Sequence, residues 1–428
     1  MNKQDVLSEK CPEKTLVINF RALKIGGIEI YLSKLIEYST KNGYRVIWLT
    51  TEKCYRENHF MEIVNHPLVE KVYIKGGGQN WMPHKRIKFQ DGENVTMYSV
   101  DPINFMKGEK IREYTKNVKS FNHFLVMPHF TGTWYYPERT FKSKLLRNHW
   151  YKFMKKQAHK LVENDCVRAY SLKHLDAYEE SYGVQIENKP EKVLKKINQI
   201  IEYEEAYFEN KAKTREKSFE IITCTRFDFP HKGFLLGLLE DFEELKAKYP
   251  QIRLTIIGYG KDEETLLNKI KTLSKEAQDD IVLVGKVNPG DLHNYFEKCH
   301  LNIGLAGALF DGAFCALPSL CVRHFTNSCE TYGFISDMEG TFLRDDPAME
   351  IKPFIEKMIT ANYEDYIKQT KRDFERAKSV KTNQPNYIFE QTNKSSESTV
   401  RGFCKLKAKI FNLSLIASRA INKILRRK

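Results

Sequence analysis

The sequence lacks the patterns that mark several common classes of protein. Its nine cysteines include no C-x-x-C pair and no regular spacing, which argues against a zinc site or a disulfide framework and favours buried or free thiols. No D-x-D sequence occurs, so a diphosphate site bridged by a metal ion is not indicated. GYGKDE does not complete G-x-G-x-x-G, and no G-x-x-x-x-G-K-[ST] is present. Neither a dinucleotide dehydrogenase nor a P-loop protein is therefore predicted.

Long apolar segments are also missing. The N-terminal MNKQDVLSEKCPEK has no apolar core of the kind found in secretory signals. The most apolar run, Leu301 to Val322, is interrupted by Asp311, three glycines and Pro318. It is better explained as a buried strand, loop and helix than as a transmembrane helix. Together with the cysteine pattern, this predicts a cytoplasmic protein.

The positive charge of the chain is concentrated at one end. The formal net charge is +14, but residues 401–428 hold nine Lys or Arg and no acidic residue, which leaves +5 on the rest. The body therefore shows no basic and aromatic face that would favour nucleic-acid binding. An apolar stripe at helical spacing runs through the basic segment: Leu406, Ile410, Leu413, Ala417, Ile421 and Ile424. This amphipathic tail predicts attachment to an anionic membrane surface; the alternatives are a helix packed on the protein or a disordered basic end.

Strand and helix patterns alternate along both halves of the body, as in parallel α/β domains. In the first half, strands are predicted at 15–20, 45–49, 69–74, 95–100 and 123–127, with helices from Gly27 to Asn42 and at 149–162. In the second half, strands are predicted at 219–224, 252–257, 281–284, 301–305 and 319–323, with helices at about 233–248, 262–276, 289–298 and 309–316. Residues 349–378 have helical spacing, and residues 381–399 are polar and predicted to be loose.

These patterns predict two Rossmann-like, doubly wound parallel-sheet domains that face a cleft. The predicted divisions are an N-terminal domain (1–190), a Lys- and Glu-rich linker (191–217), a C-terminal domain (218–345), a crossover helix with a polar linker (346–400) and the basic tail (401–428). Ligands of such sheets bind at the carboxyl ends of the strands.

The segment FEIITCTRFDFPHKGFLLGLLEDFEEL carries the clearest candidate site. A strand ending at Cys224 is followed by Arg226 in a short loop, and Lys232-Gly233 opens a helix with one apolar face. Two cations at a helix N-terminus suit a phosphate group, because unpaired N–H groups and the helix dipole add to the side-chain charge. The alternative is that both cations are ordinary solvated surface residues.

Four further features are candidates for a ligand site. Gly26-Gly27 follows a strand and opens a helix; it permits close approach of a phosphate or sugar, or else simply forms a tight turn. Asp311, in an apolar run, accepts hydrogen bonds either from ligand hydroxyls or from local N–H groups at a helix start. Gly258-Tyr259-Gly260 ends a strand. His129 follows a predicted strand, and structural or exposed histidines are more common than catalytic ones.

In this order the motifs resemble those of retaining glycosyltransferases of the GT-B fold, similar to family 4 (glycosyl transferases group 1). The likeness is strongest from Phe219 to Leu343, where strand-R-x5-K-G-helix, IIGYG, LVGKV and DLHNYFEKC precede the segment from Asp311 to Pro318. It is weaker over residues 14–170, where GGIEIYLSKLIEYSTKNGYRVIWLTT corresponds to the opening Gly-Gly turn, helix and second strand.

The resemblance implies an acceptor-side N-terminal domain and a donor-binding C-terminal domain. It implies transfer of a hexosyl-type sugar from a nucleotide diphosphate sugar, with retained configuration and without metal or cofactor. Arg226 and Lys232 match the cations on the donor diphosphate, and His129 corresponds to the acceptor-side histidine. The implied donor-binding positions are Gly26, Gly27, Gly258, Gly260 and Asp311. The implied acceptor is a glycan or a lipid-linked sugar, in cell-envelope or capsular polysaccharide synthesis.

The chain departs from the family at one position. The family has a Glu-x7-Glu motif; its second position is Asp311 here, and its first is Ile303, which cannot hydrogen-bond a sugar. This departure leaves an alternative of another class, a non-catalytic nucleotide-sugar-binding or scaffold protein on the same fold.

Overall fold

The computed structural model describes residues 13–20, 27–50, 61–73, 87–100, 102–127, 144–197, 201–338, 347–382, 387–394 and 413–414. The chain forms two compact units. The first unit comprises residues 1–197 and 383–428, and the second comprises residues 198–382.

The first unit contains a six-stranded parallel sheet. Its strands are β1 (Lys14–Asn19), β2 (Arg45–Thr50), β3 (Val69–Tyr73), β4 (Asn94–Val100), β5 (Ser120–Met127) and β6 (Val167–Ala169), and a short β7 (Lys196–Ile197) follows. The order is β3-β2-β1-β4-β5-β6, with every pairing parallel. This is the doubly wound arrangement, in which the chain reverses its direction of travel between β1 and β4.

The helices of this unit are α1 (Gly27–Lys41), α2 (Met61–Val64), α3 (Pro102–Tyr114), α4 (Lys144–Glu163), α5 (Leu172–Tyr182) and α6 (Lys189–Lys192). In α1, Leu32, Leu35 and Ile36 are fully buried, as their spacing predicts. The helix ends before Gly43, whose φ of 74° favours glycine. The structure thereby confirms the predicted helix stop at Asn42-Gly43.

The core of the first unit also holds a chain of buried polar side chains. Asn19 Nδ2 donates to Ser99 Oγ (2.9 Å) and to the carbonyl oxygen of Asn104 (2.7 Å). Ser99 Oγ lies 2.7 Å from His123 Nε2, and His123 Nδ1 lies 2.5 Å from Glu109 Oε1. Burial lowers the pKa of His123, so Nδ1–H donates to the carboxylate and Nε2 accepts from the serine. These hydrogen bonds tie β1, β4, β5 and α3 together.

The second unit contains a seven-stranded sheet. Its strands are β8 (Phe219–Cys224), β9 (Ile252–Ile257), β10 (Ile281–Gly285), β11 (Leu301–Gly304), β12 (Ser319–Val322), β13 (Glu330–Phe334) and β14 (Met349–Glu350), and β15 (Lys381–Thr382) follows. The order is β10-β9-β8-β11-β12-β13-β14, parallel through β12 and antiparallel thereafter. The reversal of direction lies between β8 and β11.

The helices of the second unit are α7 (Glu205–Thr214), α8 (Phe234–Lys248), α9 (Glu263–Lys271), α10 (Lys275–Asp279), α11 (His293–Phe296), α12 (Ala306–Phe314), α13 (Lys352–Thr360) and α14 (Tyr363–Ser379). Two segments predicted as single helices are each divided in two. Ser274 caps α10 by accepting from Ala277 N, and Asn362 caps α14 by accepting from Asp365 N.

The chain returns to the first unit after the second. There α15 spans Tyr387–Glu390, and the amide of Asn393 accepts from His123 N (2.6 Å) and donates to His123 O (3.2 Å). The prediction that residues 381–399 are loose is therefore wrong for 387–394. Polar composition alone does not distinguish amides that bond to a strand from amides that bond to water.

The predicted fold class, two α/β units built on parallel sheets, is confirmed. Within the predicted linker 191–217, α7 contributes Phe208 and Ala212 to the core of the second unit. The basic tail lies outside the described residues apart from 413–414.

Candidate functional site

The topology of the second unit brings two connections together. Because β8 and β11 are neighbours at the reversal point, the loop 225–233 after β8 and helix α12 after β11 emerge at the same edge of the sheet. Ligands of open α/β sheets bind in the crevice at this place. Arg226 and Lys232 lie in the first connection, and Asp311 lies in the second.

The loop after β8 is held by backbone hydrogen bonds on both sides of Arg226. Thr225 N donates to Ile257 O (2.9 Å), and Phe227 N donates to Tyr259 O (3.0 Å). The Phe227 ring is buried. Arg226, between these two fixed residues, is exposed, so its backbone is positioned while its guanidinium faces solvent.

The glycines of GYG are explained by this contact. A Cβ at Gly258 would come within 1.9 Å of Thr225 O, and one at Gly260 within 2.2 Å of Phe227 O. Both positions need glycine because the loop that carries Arg226 packs against their backbone. Their implied role in donor binding remains a prediction.

Lys232 is half-buried at the end of the same loop. Burial lowers its pKa to about 8, and the nearby charge of Arg226 acts in the same direction. Neither cation forms an ion pair with any residue that the structure describes. Two adjacent, unneutralised cations raise each other's free energy, and an anion placed between them would remove that cost.

The one acid in this loop is already paired. Asp228 Oδ1 lies 3.1 Å from Lys261 Nζ, which lowers the pKa of Asp228. On its other side, Asp262 Oδ2 accepts from Phe229 N at 2.6 Å. Asp228 is thus paired with Lys261, and Asp262 accepts a hydrogen bond from the backbone of the loop.

The neighbours of Lys232 include two histidines that the sequence analysis did not select. The rings of His231 and His324 lie 5.9 Å apart, and Phe325 N donates to His231 O (3.1 Å). Burial, with the charges of Lys232 and His324, lowers the pKa of His231 to about 4. His231 is therefore neutral at pH 7. In the sequence, the indication that His231 belongs to the candidate site is its position next to Lys232. The contact between His231 and His324 depends on the tertiary fold.

Gly233 serves the packing of the chain itself. A Cβ there would lie 2.3 Å from Asn327 Oδ1 and 2.5 Å from Thr326 O. The close approach that this glycine permits is therefore made by the loop after β12. The packing of this loop is therefore enough to explain the glycine at position 233.

Asp311 lies within α12, as its sixth residue. Its side chain is 43% exposed, and Oδ1 lies 3.7 Å from the ammonium of the buried Lys381. Asp311 also contributes to the raised pKa of the Cys224 thiol, about 12, for which burial is the larger cause. The acid is thus beside the end of β8 and paired with a lysine, and it is not at a helix start as the alternative interpretation required.

Ile303 is fully buried within β11. A single residue, Leu305, separates β11 from α12, and Ala306 has a φ of 50°, which is unusual for a residue other than glycine. Position 303, the first of the family's two acidic positions, therefore lies within strand β11 of the sheet. The connection between β11 and α12 is too short to include it.

The remaining candidate residues belong to the first unit. Gly27 is the first residue of α1, after β1. Gly26 and His129 lie outside the described residues, so their predicted roles are not tested. His129 comes two positions after the end of β5.

A cavity of about 430 Å³ opens at the carboxyl end of β10, lined by Lys286, Asn288, Asp291, Tyr295 and Lys298, among others. It is linked to the GYG loop, because Gly258 N donates to Gly285 O (2.9 Å) and Lys286 Nζ lies 5.1 Å from the centre of the Tyr259 ring. This concavity shares an edge of the sheet with Arg226. The LVGKV motif was the sequence signal for it.

The described part of the chain holds no cluster of three His, Cys, Asp or Glu side chains arranged for a metal ion. None of its helices has both the length and the hydropathy needed to cross a bilayer.

Part of the chain matches a known protein family. Residues 206–305 match the family Glycosyl transferases group 1. The match covers α7 to Leu305, so it includes Arg226, Lys232 and both glycines of GYG but ends before Asp311. No curated protein matches the chain.

Solved structures align over most of the chain. Anabaena HepE, solved in complex with UDP and glucose, aligns with a TM-score of 0.53 and 12% identity over 89% of this chain and 98% of its own. A glycosyltransferase from Rickettsia africae gives 0.56 and 13% over 89% and 97%. The N-terminal domain of Candida albicans trehalose-6-phosphate phosphatase gives 0.55 and 11% over 90% and 96%. The fold is GT-B-like. At this identity the likeness concerns the fold alone.

Proposed function

We propose that this protein is a glycosyltransferase that uses a nucleotide diphosphate sugar as its donor. The observation that carries the proposal is the pair of unneutralised cations, Arg226 and Lys232, at the reversal point of the second sheet. They lie within the segment that matches the Glycosyl transferases group 1 family. Fold-level likeness to enzymes is a weaker argument, since one fold supports many activities.

In this proposal Arg226 and Lys232 stabilise the diphosphate as it departs, in place of a metal ion. The half-buried position of Lys232 strengthens its interaction with a charge that develops during the reaction. A hexosyl-type sugar is transferred with retained configuration and without a cofactor. These finer features come from the family resemblance. The lack of an acidic partner for the two cations among the described residues supports only their role in place of a metal ion.

The other predicted residues complete the proposed site. Asp311 holds the ribose hydroxyls of the nucleotide, and it remains reachable because its carboxylate is partly exposed beside Lys381. Gly258 and Gly260 shape the donor loop. Gly26 and Gly27 are the further donor-binding positions that the family resemblance implies, and His129 serves a glycan or lipid-linked acceptor. The setting that we propose is cytoplasmic synthesis of cell-envelope or capsular polysaccharide.

The test is a panel of nucleotides and nucleotide sugars, screened for thermal stabilisation and then for release of nucleoside diphosphate. We expect at least one donor to stabilise the protein and to turn over. Lys232→Ala should abolish both effects, whereas Lys269→Ala, at a lysine paired with Glu240 on the surface of α9, should preserve them. Full transferase activity in the Lys232→Ala variant would contradict the proposed function.

Two additional readouts test the finer features. Activity that survives a chelator supports the metal-independent mechanism, and activity that needs an added divalent cation contradicts it. The anomeric configuration of the product, measured by NMR, distinguishes retention from inversion.

A second candidate is a nucleotide-sugar-binding protein without transferase activity. The buried Ile303 and the one-residue connection between β11 and α12 favour it, because no acid is presented at the family's first position. This candidate would be supported by a nucleotide sugar that raises the thermal stability of the protein but is turned over less than once per protein molecule with every acceptor tested.

We also propose that the tail 401–428 attaches the enzyme to the inner face of the membrane. Nine basic residues flanking an apolar stripe support this proposal. Sedimentation with anionic liposomes should be weaker for residues 1–400 than for the full chain. Equal sedimentation would contradict the role of the tail.

A further inference from the structure

Helix α4 presents a basic face to solvent. It is a 20-residue helix (Lys144–Glu163), about 30 Å long. Its exposed residues are Lys144, Leu145, Asn148, His149, Lys152, Lys155, Lys156, His159 and Glu163. At 100° per residue, Lys152, Lys156 and His159 lie within about 40° of Leu145 around the helix axis. The exposed residues therefore form one continuous face along the whole helix.

The opposite face anchors the helix to the first unit. Trp150, Met154 and Leu161 are buried in one hydrophobic cluster with the end of β5 and with α5. These residues lie about 140–180° from Leu145 around the axis. Since the helix is fixed by this packing, the basic face has a fixed orientation on the surface of the unit.

The lysines of this face have no acidic partners among the residues that the structure describes. Lys144, Lys152, Lys155 and Lys156 form no ion pair with any residue in the described ranges. Glu163, at the last position of the helix, is its one acidic residue. By contrast, Lys189 and Lys192 in the same unit are paired with Asp176 and Asp165. The charge of the face is thus available to an external anion.

Leu145 adds an apolar contact at one end of the face. Its side chain is 79% exposed, the largest value among the large apolar residues recorded as exposed. An exposed leucine costs free energy in water and gains it in an acyl-chain environment. A row of lysines beside an exposed aliphatic residue is typical of surfaces that lie on anionic lipid bilayers.

The composition of the face favours lipid over nucleic acid. Its cations are lysines, and Arg147, the arginine of α4, is half-buried toward the packed side. Surfaces that bind single-stranded nucleic acid combine arginine with exposed aromatic rings on which bases stack. Here the one large apolar residue on the face is aliphatic, and Trp150 is buried.

We propose that the outer face of α4 binds an anionic lipid bilayer, as a contact separate from the tail 401–428. The lysines Lys144, Lys152, Lys155 and Lys156 bind lipid phosphates, and Leu145 enters the interface. The inference does not depend on the transferase assignment, because it concerns a surface of the first unit that is distinct from the loop after β8.

The test compares two triple variants of the full chain with the tail intact. Lys152→Gln/Lys155→Gln/Lys156→Gln removes three charges from the face. The matched control, Lys213→Gln/Lys248→Gln/Lys275→Gln, removes three exposed lysines that pair with acids in the second unit. Sedimentation uses phosphatidylcholine vesicles with and without about 30% phosphatidylglycerol.

We expect the α4 variant to bind anionic vesicles roughly tenfold or more weakly than the control. Leu145→Ser should weaken binding by about threefold, a smaller effect because it removes one apolar side chain. Circular dichroism and nucleotide-induced thermal shifts should match those of the parent protein, which excludes misfolding and separates this result from the fate of the proposed function.

Two results would overturn the proposal. One is equal binding of anionic vesicles by the α4 variant and its control, since the tail would then account for the whole attraction. The other is that the α4 variant loses affinity for a single-stranded RNA of about 20 nucleotides while its binding to vesicles is unchanged. The face would then bind nucleic acid.

Discussion

The reversal points of the two sheets differ in how their polar groups are satisfied. In the first unit, between β1 and β4, the buried side chains of Asn19, Ser99, His123 and Glu109 bond to one another. In the second unit, between β8 and β11, Arg226 and Lys232 have no acidic partner in the described part of the chain. The first arrangement contributes to folding, whereas the second leaves charge for a ligand. Corresponding places in the two sheets thus differ in whether their polar groups are satisfied within the described part of the chain.

The largest expected effect concerns the second reversal point. Lys232→Met should lower kcat/KM for the donor by about 10²–10³, because a cation that faces the leaving group is lost. The measurement is the rate of nucleoside diphosphate release at subsaturating donor. Lys269→Met, with its lysine already paired to Glu240, is the control and should change the rate less than twofold, roughly.

The next effect concerns the first reversal point. Glu109→Gln should reduce the free energy of unfolding by about 2–4 kcal/mol, because it leaves Arg112 and His123 buried without the carboxylate. Urea unfolding measures the change. Glu113→Gln on the same helix, where the acid pairs with Lys110 nearer the surface, should cost under about 0.5 kcal/mol. If Glu109→Gln greatly lowered the affinity for a nucleotide under conditions in which the variant is folded, the first reversal point would also contribute to ligand binding. The contrast drawn between the two reversal points would then be wrong.

The affinity for a nucleoside diphosphate should depend on pH through Lys232. Its pKa of about 8 in the free protein should rise when a diphosphate binds, since the anion favours the ammonium form. Affinity is therefore highest below pH 8 and falls by up to about tenfold per pH unit above it. Calorimetric titrations between pH 6.5 and 9.5 measure the slope. Lys232→Arg should remove it; a slope that persists in this variant would assign the titration to another group.

The smallest effect is on stability without ligand. Lys232 has a folded-state pKa below the ordinary 10.5, so its charge opposes folding below pH 8, and the penalty fades as pH rises toward 10.5. Lys232→Met should raise Tm at pH 7 by about 2–4 °C, and the gain should shrink by pH 10. Scanning calorimetry at the two pH values checks both parts. An unchanged or lower Tm at pH 7 would show that the cation pair carries no cost in the free protein.

The local part of the candidate site in the second unit could be predicted from the sequence. The strand to Cys224, the loop with Arg226 and the helix after Gly233 are adjacent in the chain, and their hydrophobic periodicity is strong. The α/β alternation predicted a site at the carboxyl ends of the strands. It did not predict that β8 and β11 are neighbours, and therefore not that Asp311 lies near the end of β8, because the strand order depends on the tertiary fold.

Contacts between distant segments could not be predicted. Gly233 and Gly258 are required by the backbones of Thr326 and Thr225, which lie elsewhere in the chain. β13 and β14 were missed because strands of five and two residues are too short to show a clear periodic pattern. The burial of Ile303 agrees with the predicted strand 301–305, but the one-residue connection to α12 was not predicted, since the helix was expected to begin at about 309.

The return of residues 387–394 to the first unit makes the second unit an insertion, bounded by Asn198 and Thr382. A protease site engineered between Thr382 and Tyr387 would cut the covalent link, yet the severed piece would keep the hydrogen bonds of Asn393 to β5. The nicked protein would then act as a two-fragment complementation system. In such a system, whether a tag or anchor on the C-terminal fragment stays bound would show whether the first unit is folded. It would not depend on the second unit.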